Sequence, residues 1–435
     1  MKNRLWTFQA IQASRKGTSA QSMTSVLIPA LLALLLCPVT AADWPQFRGP
    51  HHDGTSAEQG WLEKWPEAGP EALWKASMGQ GFSGVAVSEG RLFTMGHVKR
   101  KAGGDEEEVD QVWCLDAATG AKVWTHSYPC PEGSYWGPFT TPAVDAGLVI
   151  SLSQFGQLHC FEKSSGKVMW RKNLVDDLHG KKPYYGFACS PLIVGDVAVF
   201  EAGSDQASLV AVDKRTGQLA WRYGKGEAGY SSPVSCELDG KQCVVALTPA
   251  AAFGVDAATG QEVWRYPWRA SPQSSATAPL VCGQHVFVSA SESKKTGLLL
   301  HVANGTASAV WENQNMMNYF NASVFHNGHL YGVHSLDHIP KNSSLRCVDL
   351  LTSKVKWERD GVGLGGLILA DHRLLIQTDK GELVVAEATP EAYKEIGRAK
   401  ILDGNCWNAP VLCEGRIYCR NHRGDIVCLV LRRSP

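Results

Sequence analysis

Tryptophan falls on a grid in this chain. Trp74, Trp124, Trp170, Trp221, Trp264, Trp311 and Trp357 are separated by 50, 46, 51, 43, 47 and 46 residues. A mean step of about 47 residues lies in the range of four-stranded propeller blades, and core tryptophans placed only by burial would not keep one period. The neighbourhood of each Trp repeats with it. Before most of them sits a turn: "DAATGAKVW", "EKSSGKVMW", "DKRTGQLAW", "DAATGQEVW", "DLLTSKVKW". After most comes a polar or aromatic stretch, then Pro, then an alternating run: "TTPAVDAGLVISL", "CSPLIVGDVAVFE", "TAPLVCGQHVFVSA", "NAPVLCEGRIYCR". Each unit reads as four short strands joined by tight turns, and no stretch keeps a helical period.

The Asp-x-x-Thr-Gly stretch has a mechanical reading. Asp accepts backbone N–H groups ahead of it, Thr supports the same turn, and Gly supplies the positive φ of the reversal. A calcium loop needs several oxygen side chains at alternating positions, and "DAATG" offers one carboxylate and one hydroxyl. The units continue beyond the last gridded Trp. Residues 365–401 supply one more, and 406–431 supply three strands and stop. The missing fourth strand is available at 71–78, "EALWKASM", which carries a repeat Trp with no unit before it. Ring closure by this N-terminal strand removes the open edges that invite aggregation. The expected fold is therefore all-β, an eight-bladed β-propeller of four-stranded antiparallel blades, occupying 73–435 behind a lead-in at 42–72.

Residues 1–41 read differently. They hold Lys2, Arg4, Arg15 and Lys16 and no acid, then a twelve-residue apolar run at 26–37, then "PVTAAD". That order is expected of a secretory signal peptide cut after Ala41, and the run is short for a bilayer span. The expected location is periplasmic or secreted, with no transmembrane segment in the mature chain. The 42 basic and 42 acidic side chains cancel, which argues against a nucleic-acid partner. Thirteen cysteines include no adjacent pair and no C-x-x-C. Cys114, Cys160 and Cys347 recur two residues before the turn acid, and Cys236, Cys282 and Cys413 recur three after the Pro position, and they read as small core residues. In "CELDGKQC" a two-residue turn at Asp239-Gly240 would set Cys236 opposite Cys243, a candidate disulfide in an oxidising compartment.

The repeat, with its Leu-Asp-x-x-Thr-Gly and trailing Trp, resembles the pyrroloquinoline-quinone (PQQ) repeat of extracytoplasmic propellers, over nearly all of 73–435. "DWPQFRG" at 43–49 resembles the lead-in of such proteins. The resemblance implies the propeller. For function it implies two alternatives, since the family holds both PQQ- and calcium-dependent quinoprotein dehydrogenases and non-enzymatic scaffolds. The dehydrogenases carry an adjacent Cys-Cys pair, absent here, and no residue here matches their calcium ligands or catalytic Asp.

The site is sought in the loops leading into each innermost strand. Counted back from the Pro position these give Phe82, Phe139, Tyr230, Phe320 and Trp407, with Asn321 and Asn408 beside the last two. Tyr135, Trp136, Tyr184, Tyr185, Phe187 and Tyr319 lie just upstream. Such rings either grip a flat ligand or a peptide at the axial mouth, or plug the ring's narrow end and pack blade against blade. The "HSLDH" stretch at 334–338 has one carboxylate and reads as loop, as does "HHD" at 51–53. "KRKAGGDEEEVD" at 99–110 reads as a solvated hairpin tip. No catalytic residue and no metal ligand is assigned. The expected function is an exported, non-enzymatic, monomeric binding scaffold of the cell envelope with a protein or envelope partner and no cofactor. The alternative is an alcohol dehydrogenase using PQQ and calcium, with the quinone against Trp407. A polysaccharide-cleaving site would need paired carboxylates, and none is recognisable.

Overall fold

The computed structural model describes residues 43–431 apart from 62, 67–68, 103, 134, 271–275 and 292–296. The signal peptide expected at 1–41 lies outside the described residues. Eight antiparallel sheets follow one another, at 86–129, 143–173, 192–223, 234–267, 280–313, 324–360, 366–400 and 411–430. In each, consecutive strands pair, so every sheet is a meander whose first strand is innermost. The eighth has three strands of its own, and Ala72–Ser77 pairs antiparallel with Asp425–Val430 to complete it. The propeller is closed by its N-terminal strand, as the spacing implied.

The strand sequences follow from a blade's two neighbours. Middle strands such as Val197–Glu201 are buried along their whole length, because another blade packs on each face. Outermost strands alternate, and Leu219–Tyr223 buries chiefly Trp221. The apolar core is accordingly a ring of layers between blades. Leu158, Trp170 and Phe200 fill one such layer, and Trp264, Val286 and Leu298 fill another.

The repeated turn and the repeated Trp prove to be one device. Asp116 Oδ1 accepts the Thr119 amide at 3.0 Å and its hydroxyl at 2.9 Å, and Asp213 and Asp256 bind Thr216 and Thr259 alike. The indole of the preceding blade lies on this turn and donates to the carbonyl just past the Asp. Trp74 reaches Ala117 O at 3.1 Å, Trp170 reaches Lys214 O at 3.0 Å, and Trp221 reaches Ala257 O at 3.1 Å. The turn glycine adopts φ near +70°, and a Cβ on Gly260 would stand 2.6 Å from the Trp221 ring. Gly is thus required twice, for the reversal and for the close approach. Trp74 on Ala117 stitches the eighth blade to the first.

The pattern breaks in two places: the fifth blade turns at Asn304-Gly305 and leaves the buried Trp264 Nε1 without a partner, and the seventh blade lacks the Trp itself. In the seventh blade the register that elsewhere holds Trp, one residue before a ladder shift, holds Gly397, opposite Val385. An indole stands beside it nevertheless. Trp65 of the lead-in lies with its six-membered ring 3.4 Å from where a Gly397 Cβ would be. The lead-in arrives there by crossing the ring. Trp44 pairs with Val87 of the first blade, and Pro45 O accepts from Val144 of the second at 2.8 Å. Arg48 reaches the sixth, and Thr55–Ser56 runs parallel to Leu369 and Ala370 of the seventh as a fifth strand. Glu58 then accepts the Gly415 amide of the eighth at 2.7 Å.

Two readings change. The charged stretch at 99–110 is mostly regular strand. Arg91–Ala102 and Asp105–Asp116 pair along their whole length, with Lys99 opposite Glu108 and Arg100 opposite Glu107. Opposite charges facing across a ladder favour pairing. Cys236 and Cys243 are register partners, as expected, but both are free thiols. Burial raises both pKa values, that of Cys236 to about 12. The reactive thiolate is therefore disfavoured.

Candidate functional site

The innermost strands end, on the face carrying the repeat turns, against the lead-in. At their other end they are entered by the loops that hold the aromatic series. Between floor and loops lies an axial cavity of about 780 Å³. All seven residues singled out in the sequence, Phe82, Phe139, Tyr230, Phe320, Asn321, Trp407 and Asn408, line it. Tyr135, Tyr185 and Tyr319 line it too, and Tyr184 and Trp136 stand exposed near them. Phe187 does not: it is buried between the second and third blades.

The rings partly pack on one another and partly face the space. Phe82 lies 5.0 Å from Trp407 at 10° between planes, and Phe320 lies 5.0 Å from Trp407 at 30°. The blade between Phe320 and Trp407 brings Gly365 and Gly366 instead of an aromatic, so its two neighbours meet across it. A Cβ on Gly366 would stand 2.6 Å from the Ala409 backbone. Tyr185 makes an edge contact with Tyr135 at 5.4 Å and leans on Tyr230 at 5.7 Å, and its amide donates to the Tyr230 hydroxyl at 3.2 Å. Trp136 holds φ +31°, a left-handed conformation costly for a bulky residue. Its ring sits 5.1 Å from His422.

The polar groups among these rings are largely engaged with neighbouring blades. Asn321 Nδ2 donates to Trp407 O at 2.7 Å, and Asn408 Nδ2 to Phe82 O at 2.7 Å. The Ser190 hydroxyl accepts the Thr141 amide at 3.0 Å, and the Ser232 hydroxyl accepts the Ser190 amide at 2.9 Å. What faces the lumen is mainly apolar, and among the described residues no carboxylate lines it.

The floor is the part that the sequence did not disclose. Trp44, Phe47 and Arg48 close the cavity. Arg48 is nearly buried and donates to four carbonyls: Ala322 O at 3.1 Å, Ser323 O at 2.7 Å, His52 O at 3.0 Å and Asp53 O at 2.7 Å. Burial lowers its pKa to about 10, so it stays cationic at neutral pH. The signal was "DWPQFRG", read above only as a lead-in. "HHD" follows in the same lead-in and borders a separate hollow beside Val234 and Cys236; burial lowers the His52 pKa to about 4. "HSLDH" is structural at His334 and Asp337, while His338 lines the cavity. His334 accepts the Met317 amide at 3.1 Å, and Asp337 holds the Ile339 amide at 2.7 Å. Among the described residues no three His, Cys, Asp or Glu converge as a metal site, and no helix is long and apolar enough to cross a membrane.

The family model described as "Outer membrane protein assembly factor BamB", a PQQ-repeat model, matches residues 108–359. The chain belongs to this family. Among solved structures it is similar to BamB from Moraxella catarrhalis, at 13% identity and TM-score 0.61 over 85% of this chain and 99% of that one. It is similar also to the quinohemoprotein alcohol dehydrogenase of Comamonas testosteroni, at 13% identity and TM-score 0.62 over 90% and 81%. The quinohemoprotein alcohol dehydrogenase ADHIIG of Pseudomonas putida HK5 is similar at 13% identity and TM-score 0.64, over 91% and 82%. At such identities the likeness is one of fold. No curated protein matches the sequence.

The PQQ-repeat fold raises the question of the quinone and its calcium. The lining does not fit them. Calcium takes several carboxylate and carbonyl oxygens, and among the described residues the cavity wall offers no carboxylate; Asn321 and Asn408 donate through Nδ2 to backbone carbonyls, and the neutral amide oxygens they leave, Asn408 Oδ1 without a partner, are too few and uncharged for that ion. No lining carboxylate is present to serve as the base for an alcohol proton. One buried cation, Arg48, is too little to offset a polyanionic quinone.

Proposed function

We propose that this chain is a non-enzymatic binding propeller that works outside the cytoplasm, in the cell envelope, as a monomer whose partner engages the axial mouth. The observation that carries the reading is the character of the cavity: ten or so ring-bearing side chains, no lining carboxylate, and polar atoms mostly committed to neighbouring blades. Such a wall gives contact area and shape, and His338 is the one imidazole among its described lining residues, which include no carboxylate to complete an acid–base pair. The exposed rim supports a protein partner. Tyr135, Trp136, Leu336 and Ile339 are each more than a third exposed, and Tyr184 is 72% exposed. Aromatics of this kind anchor interfaces. Ring closure leaves only the short outermost strand edges of the blades, such as Leu219–Tyr223, which favours the monomer.

The experiment pairs two measurements on the mature protein from the envelope. Incubation with PQQ and calcium is expected to give neither stoichiometric quinone nor dye-linked alcohol oxidation. A photoreactive residue in place of Tyr184 is expected to crosslink an envelope protein. Stoichiometric quinone with alcohol oxidation would establish the dehydrogenase reading instead. A rim that crosslinks nothing would overturn the scaffold.

A further inference from the structure

We infer that the axial cavity is a binding site for an amphipathic monoanion, a small molecule with a flat apolar body and a single carboxylate or sulfonate, seated with its anion on Arg48. The inference rests on the reading that this cavity is the binding site, and it adds the class of ligand. Three observations carry it. The first is size: about 780 Å³ suits a body of several fused rings or a comparable chain. The second is the wall. Phe82, Phe139, Tyr230, Phe320 and Trp407 present ring faces and edges, and the Asn Nδ2 groups and Ser hydroxyls beside them bond mostly to neighbouring blades, with Asn408 Oδ1 left without a partner. Such a wall stacks an apolar body and offers a sugar few hydrogen-bonding partners.

The third is charge. Among the described residues Arg48 is the cavity's one Lys or Arg, and it sits on the lead-in that closes one end. A guanidinium has five N–H donors, and four of these bonds go to backbone carbonyls, leaving an Nη1 hydrogen. Asp53, the carboxylate nearest in sequence, is turned to the Thr55 amide at 2.8 Å. Among the described residues Arg48 forms no ion pair. Asp53 acts on Arg48 only through space, with no contact in ion-pair range, and a buried cation whose hydrogen bonds all go to carbonyl dipoles gains from an anion in direct contact. One cation selects one negative charge. Tyr185, Tyr135 and the exposed Trp136 stand at the open end, where the ligand enters.

The test uses three probes that share one body: 1-pyrenebutyrate, 1-pyrenebutanol and 1-pyrenebutylamine. Binding to the full-length mature protein is read by pyrene fluorescence and calorimetry. The carboxylate is expected to bind roughly tenfold or more tighter than the alcohol, and the amine weakest. Arg48→Lys should keep that order and Arg48→Gln should abolish it. Because Arg48 also ties down the floor, Phe320→Ala provides a second check: all three probes should weaken alike with their order unchanged. Equal affinity for the three probes overturns the role of Arg48, and no saturable binding of any probe overturns the site. Neither result touches the crosslinking test of the partner at the rim, so the two proposals fail separately.

Discussion

Glu201 ends the second strand of the third blade with its carboxyl buried. Desolvation, only partly opposed by the Gly229 amide, raises its pKa well above the carboxylate range. The folded protein therefore holds a proton there that the unfolded chain releases near about pH 4. As pH rises past that value the unfolded state is favoured, and this group's cost grows until the folded carboxyl itself ionises. Glu201→Met removes the cost with an unbranched side chain of similar length. We expect it to stabilise the protein at pH 8 by about 1–3 kcal/mol and by less at pH 5. Urea unfolding at the two pH values measures this, and a destabilised variant at pH 8 would show that the carboxyl is held by a partner. Nothing in "VAVFEAGS" announced this residue, because a Glu closing a strand ordinarily reaches solvent. The cavity rings were legible for the opposite reason. Phe139, Tyr230 and Trp407 stand at a fixed offset before a Pro in a repeat, and a repeat keeps them at one height around the axis.

At the scale of the element, the blade is legible because the same chemistry is written repeatedly. Asp and Thr build the turn, Gly lets the indole approach, and the indole bonds to the next blade. The seventh blade shows where such reading stops. Gly397 occupies the Trp position, and the indole beside it, Trp65, precedes it by more than 300 residues in a segment with no repeat. Trp65 also packs against the large cluster that joins the seventh, eighth and first blades. Trp65→Ala should destabilise the protein by about 1–3 kcal/mol, less than a fully buried Trp because it is half-buried. Gly397→Ala should change stability by no more than about 0.5 kcal/mol, since its Cβ would meet the Trp65 ring at an ordinary 3.4 Å. Unfolding curves of the two variants decide whether the lead-in stands in for the missing side chain. Equal, small effects would mean that Trp65 merely rests there.

For the whole molecule, the lead-in and the closing strand do separate jobs, and cutting between them tests both. Ala72–Ser77 covers the edge of Asp425–Val430, whose Ile426, Val427, Cys428 and Leu429 are all buried. Residues 43–70 cover the axis, with Trp44, Phe47 and Arg48 as floor. The eight-fold count was legible from spacing, since an orphan Trp74 at the front answered an orphan three-stranded unit at the back. The floor was not, because Arg48 bonds to backbone carbonyls 274 and 275 positions away and carbonyls leave no trace in a sequence. Removing 43–78 should expose a hydrophobic strand edge and yield aggregates in size-exclusion chromatography. Removing only 43–70 keeps the ring closed. That variant should remain a monomer, unfold at lower urea for want of Trp44 and Trp65, and hold an axial channel open at both ends. It should then lose the preference for an anionic pyrene probe while the rim residue at 184 still crosslinks. A monomeric, fully stable 43–78 deletion would refute closure by the N-terminal strand, and retained anion preference in the 43–70 deletion would place the cation elsewhere than the floor.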